Sequence, residues 1–154
     1  MAFKTNIPEV YASLGSAYQQ KREYKLAFNF YLKALELRPN IPKVYKNIGY
    51  IYREVGAYND SIKYYQKYLA FDLKNSDAYL NIGISLINAE QYDNAIGYLN
   101  NALSLNAADS VVWYNLGIGF EKKKLFDKAI ECYSKKIELN PMDAEAYNNR
   151  GVIF

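Results

Sequence analysis

The chain has 154 residues, 51% of them hydrophobic and 23% charged, the make-up of a folded unit with a buried core rather than of a disordered or fibrous chain. Its formal net charge of +3, from 19 basic and 16 acidic residues, is too small and too evenly spread to mark a nucleic-acid or membrane surface, so neither partner is expected. A single cysteine, Cys132, and the absence of histidine exclude an internal disulfide, a cysteine–histidine nucleophile and histidine-based metal or general-base chemistry. No cofactor, metal site or catalytic residue is therefore expected. No apolar run reaches the roughly 18 residues of a membrane span. The start, Met1-Ala2-Phe3-Lys4-Thr5-Asn6, lacks the basic-then-apolar order of an export signal, which points to a soluble, cytoplasmic chain.

Aromatic residues are abundant, with 17 tyrosines against one tryptophan, and they are not scattered. Gly15, Gly49, Gly83, Gly117 and Gly151 follow one another at intervals of 34 residues, and four residues before each stands an aromatic: Tyr11, Tyr45, Tyr79, Trp113 and Tyr147. Large apolar residues precede the glycines at Leu14, Ile48, Ile82 and Leu116, and others follow three residues later at Tyr18, Tyr52, Leu86, Phe120 and Phe154. Later in each period come Tyr24, Tyr58, Tyr92 and Phe126, then the small residues Ala27, Ser61, Ala95 and Ala129, then Tyr31, Tyr65, Leu99 and Tyr133.

In chain order the periods run 8–41, 42–75, 76–109 and 110–143, with 144–154 opening a fifth, and the whole is read as a single domain over 1–154. Each period carries two segments of helical apolar spacing separated by a polar stretch, such as Gln20-Lys21-Arg22-Glu23 in the first and Glu121-Lys122-Lys123-Lys124 in the fourth. Asn40 before Pro42, then Ser76 and Ser110, mark expected helix starts, because a short polar side chain can cap free amides and proline tolerates the first turn. Pro39 and Pro141 close the first and fourth periods.

The pattern of aromatic, Leu-Gly, Tyr, then Ala, aromatic and Pro, repeated over nearly the whole chain, resembles the tetratricopeptide repeat. The resemblance implies an all-α fold, a right-handed superhelical solenoid of about four and a third helix pairs. It implies a non-catalytic scaffold that binds a protein or peptide along the concave face lined by the first helix of each pair. One helix pair cannot bury its apolar stripe alone, so neighbouring pairs stack around a continuous core. The glycine column is expected to let helix backbones approach closely, and the tyrosines and Cys132 are expected to pack rather than react.

On the first helices, the residue two before each glycine is Ser13, Asn47, Asn81, Asn115 and Asn149. An amide both donates and accepts, so a row of asparagines can hold the backbone of an extended peptide without reading its side chains. This ladder resembles that of the O-linked N-acetylglucosamine transferase scaffold; the alternative is that the amides brace adjacent helices. Beside it stand Lys43, Lys46 and Arg53 in the second repeat, Leu80, Ile84 and Ile87 in the third, and Tyr114 and Ile118 in the fourth. If exposed, they would receive a peptide that places a carboxylate near Lys46 and Arg53 and apolar side chains over Leu80, Ile84 and Ile118. The carboxylate clamp of chaperone-binding members is only partly matched. Lys46 and Asn81 agree, but Tyr50, Val111 and Asn115 replace an asparagine and two basic groups, so chaperone tails are not expected to bind.

The chain stops part-way through the fifth repeat. Repeat arrays need polar end caps, so either a longer chain or self-association through the C-terminal end is expected. Two other functions fit the same residues: the substrate-recognition arm of a larger, glycosyltransferase-like enzyme, and a self-associating structural spacer.

Overall fold

In each period the first helix opens at or next to a proline or a short polar residue and ends two residues before one in the left-handed conformation. The computed structural model describes residues 7–141 and shows eight helices among them: α1 (Ile7–Gln20), α2 (Tyr24–Leu37), α3 (Pro42–Glu54), α4 (Tyr58–Leu69), α5 (Ser76–Asn88), α6 (Tyr92–Leu105), α7 (Ser110–Lys122) and α8 (Phe126–Leu139). The chain is all-α, built of helix pairs, and groups into two compact units that divide between Phe71 and Asp72. The partial fifth repeat, with Tyr147, Asn149 and Gly151, lies outside the described residues.

The turn inside each pair is the same every time. Arg22, Gly56, Glu90 and Lys124, spaced by one period, all have φ between 59° and 81°. The next residue's N–H reaches back five positions, as in Ala57 to Tyr52 (2.8 Å) and Leu125 to Phe120 (2.9 Å). This is a Schellman stop, which satisfies the last carbonyls of the first helix while reversing the chain. Only Gly56 has the residue type that adopts this backbone without steric cost.

Helices α5 and α7 begin at Ser76 and Ser110 as expected, but in each the capping side chain is that of the residue before. The cap of α5 is Asn75, whose side chain accepts from the Ala78 N–H at 3.0 Å, while Ser76 donates to the Ala102 carbonyl at 3.1 Å. The cap of α7 is Asp109, accepting from Val111 and Val112 at 2.9 and 3.3 Å, and Ser110 is already helical. At α3 the N-cap position is Ile41, with no side-chain cap, and Pro42 supplies the start by its fixed φ. Asp109→Ala should therefore lose about 1 kcal/mol, read as a lower urea midpoint, whereas Ser110→Ala should change little.

The glycines admit a side chain, not a backbone. A Cβ on Gly15 would stand 2.6 Å from the Tyr31 ring, and one on Gly83 2.7 Å from Cγ of Leu99; Gly49 faces Tyr65 and Gly117 faces Tyr133 in the same way. The large residue from the second helix of each pair thus lies across the glycine of the first. Tyr31, Leu99 and Tyr133 are fully buried and Tyr65 nearly so. In the first unit, Ala27, Tyr31, Ala34, Val44, Ile48 and Ile51 form the core. In the second, Leu80, Leu99, Ala102, Val112, Leu116 and Cys132 do. Ser61, in the small-residue column, is buried with its hydroxyl donating to the Gly49 carbonyl at 2.8 Å, so the hydroxyl costs little there.

Candidate functional site

In the first unit, α1 and α3 present a cleft of about 410 Å³ lined by Glu9, Ala12, Ser13, Ser16, Lys43 and Asn47, among others. A second hollow of about 550 Å³ shares Lys43 and Asn47 and adds Pro42, Lys46 and Tyr68. Helical spacing explains the set. Positions 9, 12, 13 and 16 of α1, and 43, 46, 47 and 50 of α3, recur every three or four residues and so share a face. Glu9 forms an ion pair with Arg38 through Oε1, while its Oε2 is shielded from solvent without a hydrogen-bond partner. Nothing in the periodic columns singled out Glu9, because its role depends on Arg38 at the far end of α2.

The asparagines do not act alike. Asn47 donates to the Tyr31 hydroxyl at 2.8 Å, and that hydroxyl donates to Gln19 Oε1 at 2.7 Å, so Asn47 braces α3 against the first pair. Burial raises the Tyr31 pKa, with the hydrogen bonds from Asn47 and Ser16 opposing it. Asn81 and Asn115 instead donate to carbonyls of their own helices, Asp77 at 2.7 Å and Val111 at 2.8 Å. Asn149 lies outside the described residues.

The basic groups are partly engaged. Lys46 Nζ lies 5.9 Å from the Tyr68 ring centre, and the Arg53 guanidinium lies 5.3 Å from that of Tyr50 while approaching Glu54 at 3.8 Å. Lys43 is exposed. Of the lysines at the end of α7, Lys123 pairs with Asp93, while Lys122 and Lys124 are exposed.

The apolar strip expected in the second unit is mostly core margin. Leu80 is only 9% exposed and belongs to the core with Ala102, whose small side chain leaves it room, so Leu80 is not a bare contact residue. Ile84 and Ile87 are half-buried against the same core. Tyr114 is half-buried, its ring 6.0 Å from that of Tyr133 and 3.7 Å from the buried Lys136 Nζ; Ile118 is half-buried. These residues can offer ring and methyl edges, not an open strip.

Burial pushes the Cys132 thiol up to about 12, which leaves it protonated and unfit as a nucleophile at neutral pH. Among the described residues no group of three or more potential metal-ligating side chains occurs, and no helix is long and apolar enough to cross a membrane.

Three tetratricopeptide-repeat profiles match the chain, one at residues 8–41 and 76–109, one at 110–143 and one at 30–63. Residues 30–63 fall out of the 34-residue register, running from within α2 into α4. Among solved structures, the MamA protein is similar at 28% identity, with 96% of this chain and 81% of that one covered and a TM-score of 0.88. YrrB, a tetratricopeptide protein with an unusual peptide-binding site, is similar at 26% identity over 97% of this chain and 77% of its own, with a TM-score of 0.80. MamA from Desulfovibrio magneticus RS-1, at 19% identity with 99% of this chain and 85% of that one covered, shares the fold with a TM-score of 0.90. No curated protein matches the chain by sequence. The repeated residue columns, the eight paired helices and the profile matches together show that this chain belongs to the tetratricopeptide repeat family.

Proposed function

We propose that the chain is a non-catalytic protein-interaction scaffold that binds an extended peptide along the first helices of its repeats. The observation that carries this is the α1–α3 cleft, where a carboxylate, two serine hydroxyls, two amides and a lysine surround about 410 Å³ of open space. Glu9 is already held by Arg38, so the polar groups the cleft offers a peptide backbone include the side chains of Ser13, Ser16 and Asn47. Lys43 and Lys46 beside it suit a carboxylate from an acidic side chain or a chain end. In the second unit, the edges of Ile84, Tyr114 and Ile118 suit apolar side chains, with Asn81 and Asn115 as neighbours. Likeness to YrrB, which has a peptide-binding site, agrees with this reading.

The test is selection of binders from a random peptide library on the intact chain, followed by titration of each labelled peptide. Lys43→Glu, and separately Asn47→Ala with its melting temperature checked, should weaken the selected peptides by about tenfold or more. Peptides held equally by the parent and by folded Lys43→Glu and Asn47→Ala would place binding elsewhere and leave the amides as braces.

A further inference from the structure

The first, second and fourth repeats each carry two aromatic walls on the first helix, with Leu86 replacing one of them in the third, and of these the fourth lacks the ring between the walls. In the first repeat the Phe30 ring lies between Tyr11 and Tyr18, at 6.2 and 5.3 Å. In the second, Tyr64 lies between Tyr45 and Tyr52, at 6.3 and 5.3 Å. In the third, Tyr98 lies 6.2 Å from Tyr79. The corresponding residues of the fourth repeat are Trp113 and Phe120 for the walls and Cys132 for the ring between them. There a cleft of about 620 Å³ opens, lined by Trp113, Leu116, Phe120 and Cys132, with Lys135 and Glu138 at its edge.

A second observation points to the missing ring. One turn after the central ring, Lys33 Nζ stands 5.8 Å from the Phe30 ring centre, and Lys67 Nζ 4.9 Å from that of Tyr64. Lys135 holds the same place after Cys132, but with no ring beneath it the ammonium turns to Glu138 at 2.6 Å. The fourth repeat therefore keeps both walls and the cation, lacks the aromatic that the first two repeats supply from within, and adds Lys128, whose Nζ stands 5.5 Å from the Phe120 ring centre.

We propose that this cleft receives an aromatic side chain of a partner polypeptide, seated over Cys132 between Trp113 and Phe120 and beneath Lys135. Stacked or tilted contacts with the two walls and attraction between the ammonium and the ring face would hold it, as they hold Phe30 and Tyr64. The surface differs from the α1–α3 cleft, so the two proposals stand or fall separately.

Trp113 is the single tryptophan and reports on the slot directly. Its emission would be followed while the intact chain is titrated with N-acetyl-tyrosinamide and, in parallel, with N-acetyl-leucinamide. The tyrosine probe should give a saturable change, roughly tenfold tighter than the leucine probe. Cys132→Phe should fill the slot as Phe30 does and abolish the response. Because that variant has to repack, Phe120→Ala serves beside it: it removes one wall while leaving space, and should weaken the tyrosine probe by about tenfold. Equal response to both probes, no saturable response to the tyrosine probe, or full binding in either folded variant would overturn the proposal.

Discussion

Gly83→Leu should destabilise the protein by about 3 kcal/mol, the upper part of what overpacking a core usually costs. The reason is local. A Cβ at this position would already stand 2.7 Å from both Cγ and Cδ2 of Leu99. Cγ is not the free end of a side chain, and Leu99 is fully buried, so it has no vacant rotamer to move into. Even Gly83→Ala should lose stability, although alanine is the better helix former. Gly97 is the control: it is an exposed residue within α6, and an added Cβ there meets nothing within 4 Å. Gly97→Ala should gain roughly 0.5–1 kcal/mol from propensity alone. Urea denaturation of the three variants in parallel would show opposite signs at positions 83 and 97. A Gly83→Leu protein that unfolds with the parent would contradict the packing of Leu99 across the glycine.

The second large effect is alkaline unfolding. Burial pushes Tyr65 up to about 12 from an ordinary value of 10.0, and Cys132 to about 12 from 9.0. Tyr133 moves in the same direction, through burial and then through donating its proton to Glu121 at 2.7 Å. Each folded pKa is raised, so the folded state keeps a proton that the unfolded state gives up. The associated stability is whole below about pH 9 and is lost as pH climbs from there to about 12. For Tyr65, which is 1% exposed, the two-unit separation corresponds to about 2–3 kcal/mol. Melting temperature should therefore fall steeply between about pH 9 and 12, with tyrosinate absorbance from the buried rings appearing only as the chain unfolds. Tyr65→Phe removes one titrating group and should make that fall shallower. A flat profile over the same range would mean that these hydroxyls and the thiol reach water in the folded state.

Much of this architecture is legible in the repeating residue pattern itself. Within each helix pair a large side chain of the second helix, Tyr31, Tyr65, Leu99 or Tyr133, must cross the first, and Gly15, Gly49, Gly83 and Gly117 stand out for that reason. The helix pairs, the small-residue column and the absence of histidine chemistry follow from residue type and spacing alone. What the asparagines bond was not readable, since an amide turns to whichever partner lies nearest: the Tyr31 hydroxyl for Asn47, and carbonyls of their own helices for Asn81 and Asn115. The fate of Leu80 was not readable either. It depends on a residue 22 positions away, where Ala102 leaves room for it, while Tyr68 and Lys136 at the same place in the second and fourth repeats lie against Lys46 and Tyr114 instead. The left-handed column of Arg22, Glu90 and Lys124 shows only one glycine, Gly56, because the Schellman hydrogen bonds impose the conformation on residues that do not prefer it. The period was thus a property of the chain, set by the need of each helix pair to pack its second helix across the glycine of its first. The direction of each polar group, the depth of each apolar one and the open slot over Cys132 were decided by contacts between residues far apart along it.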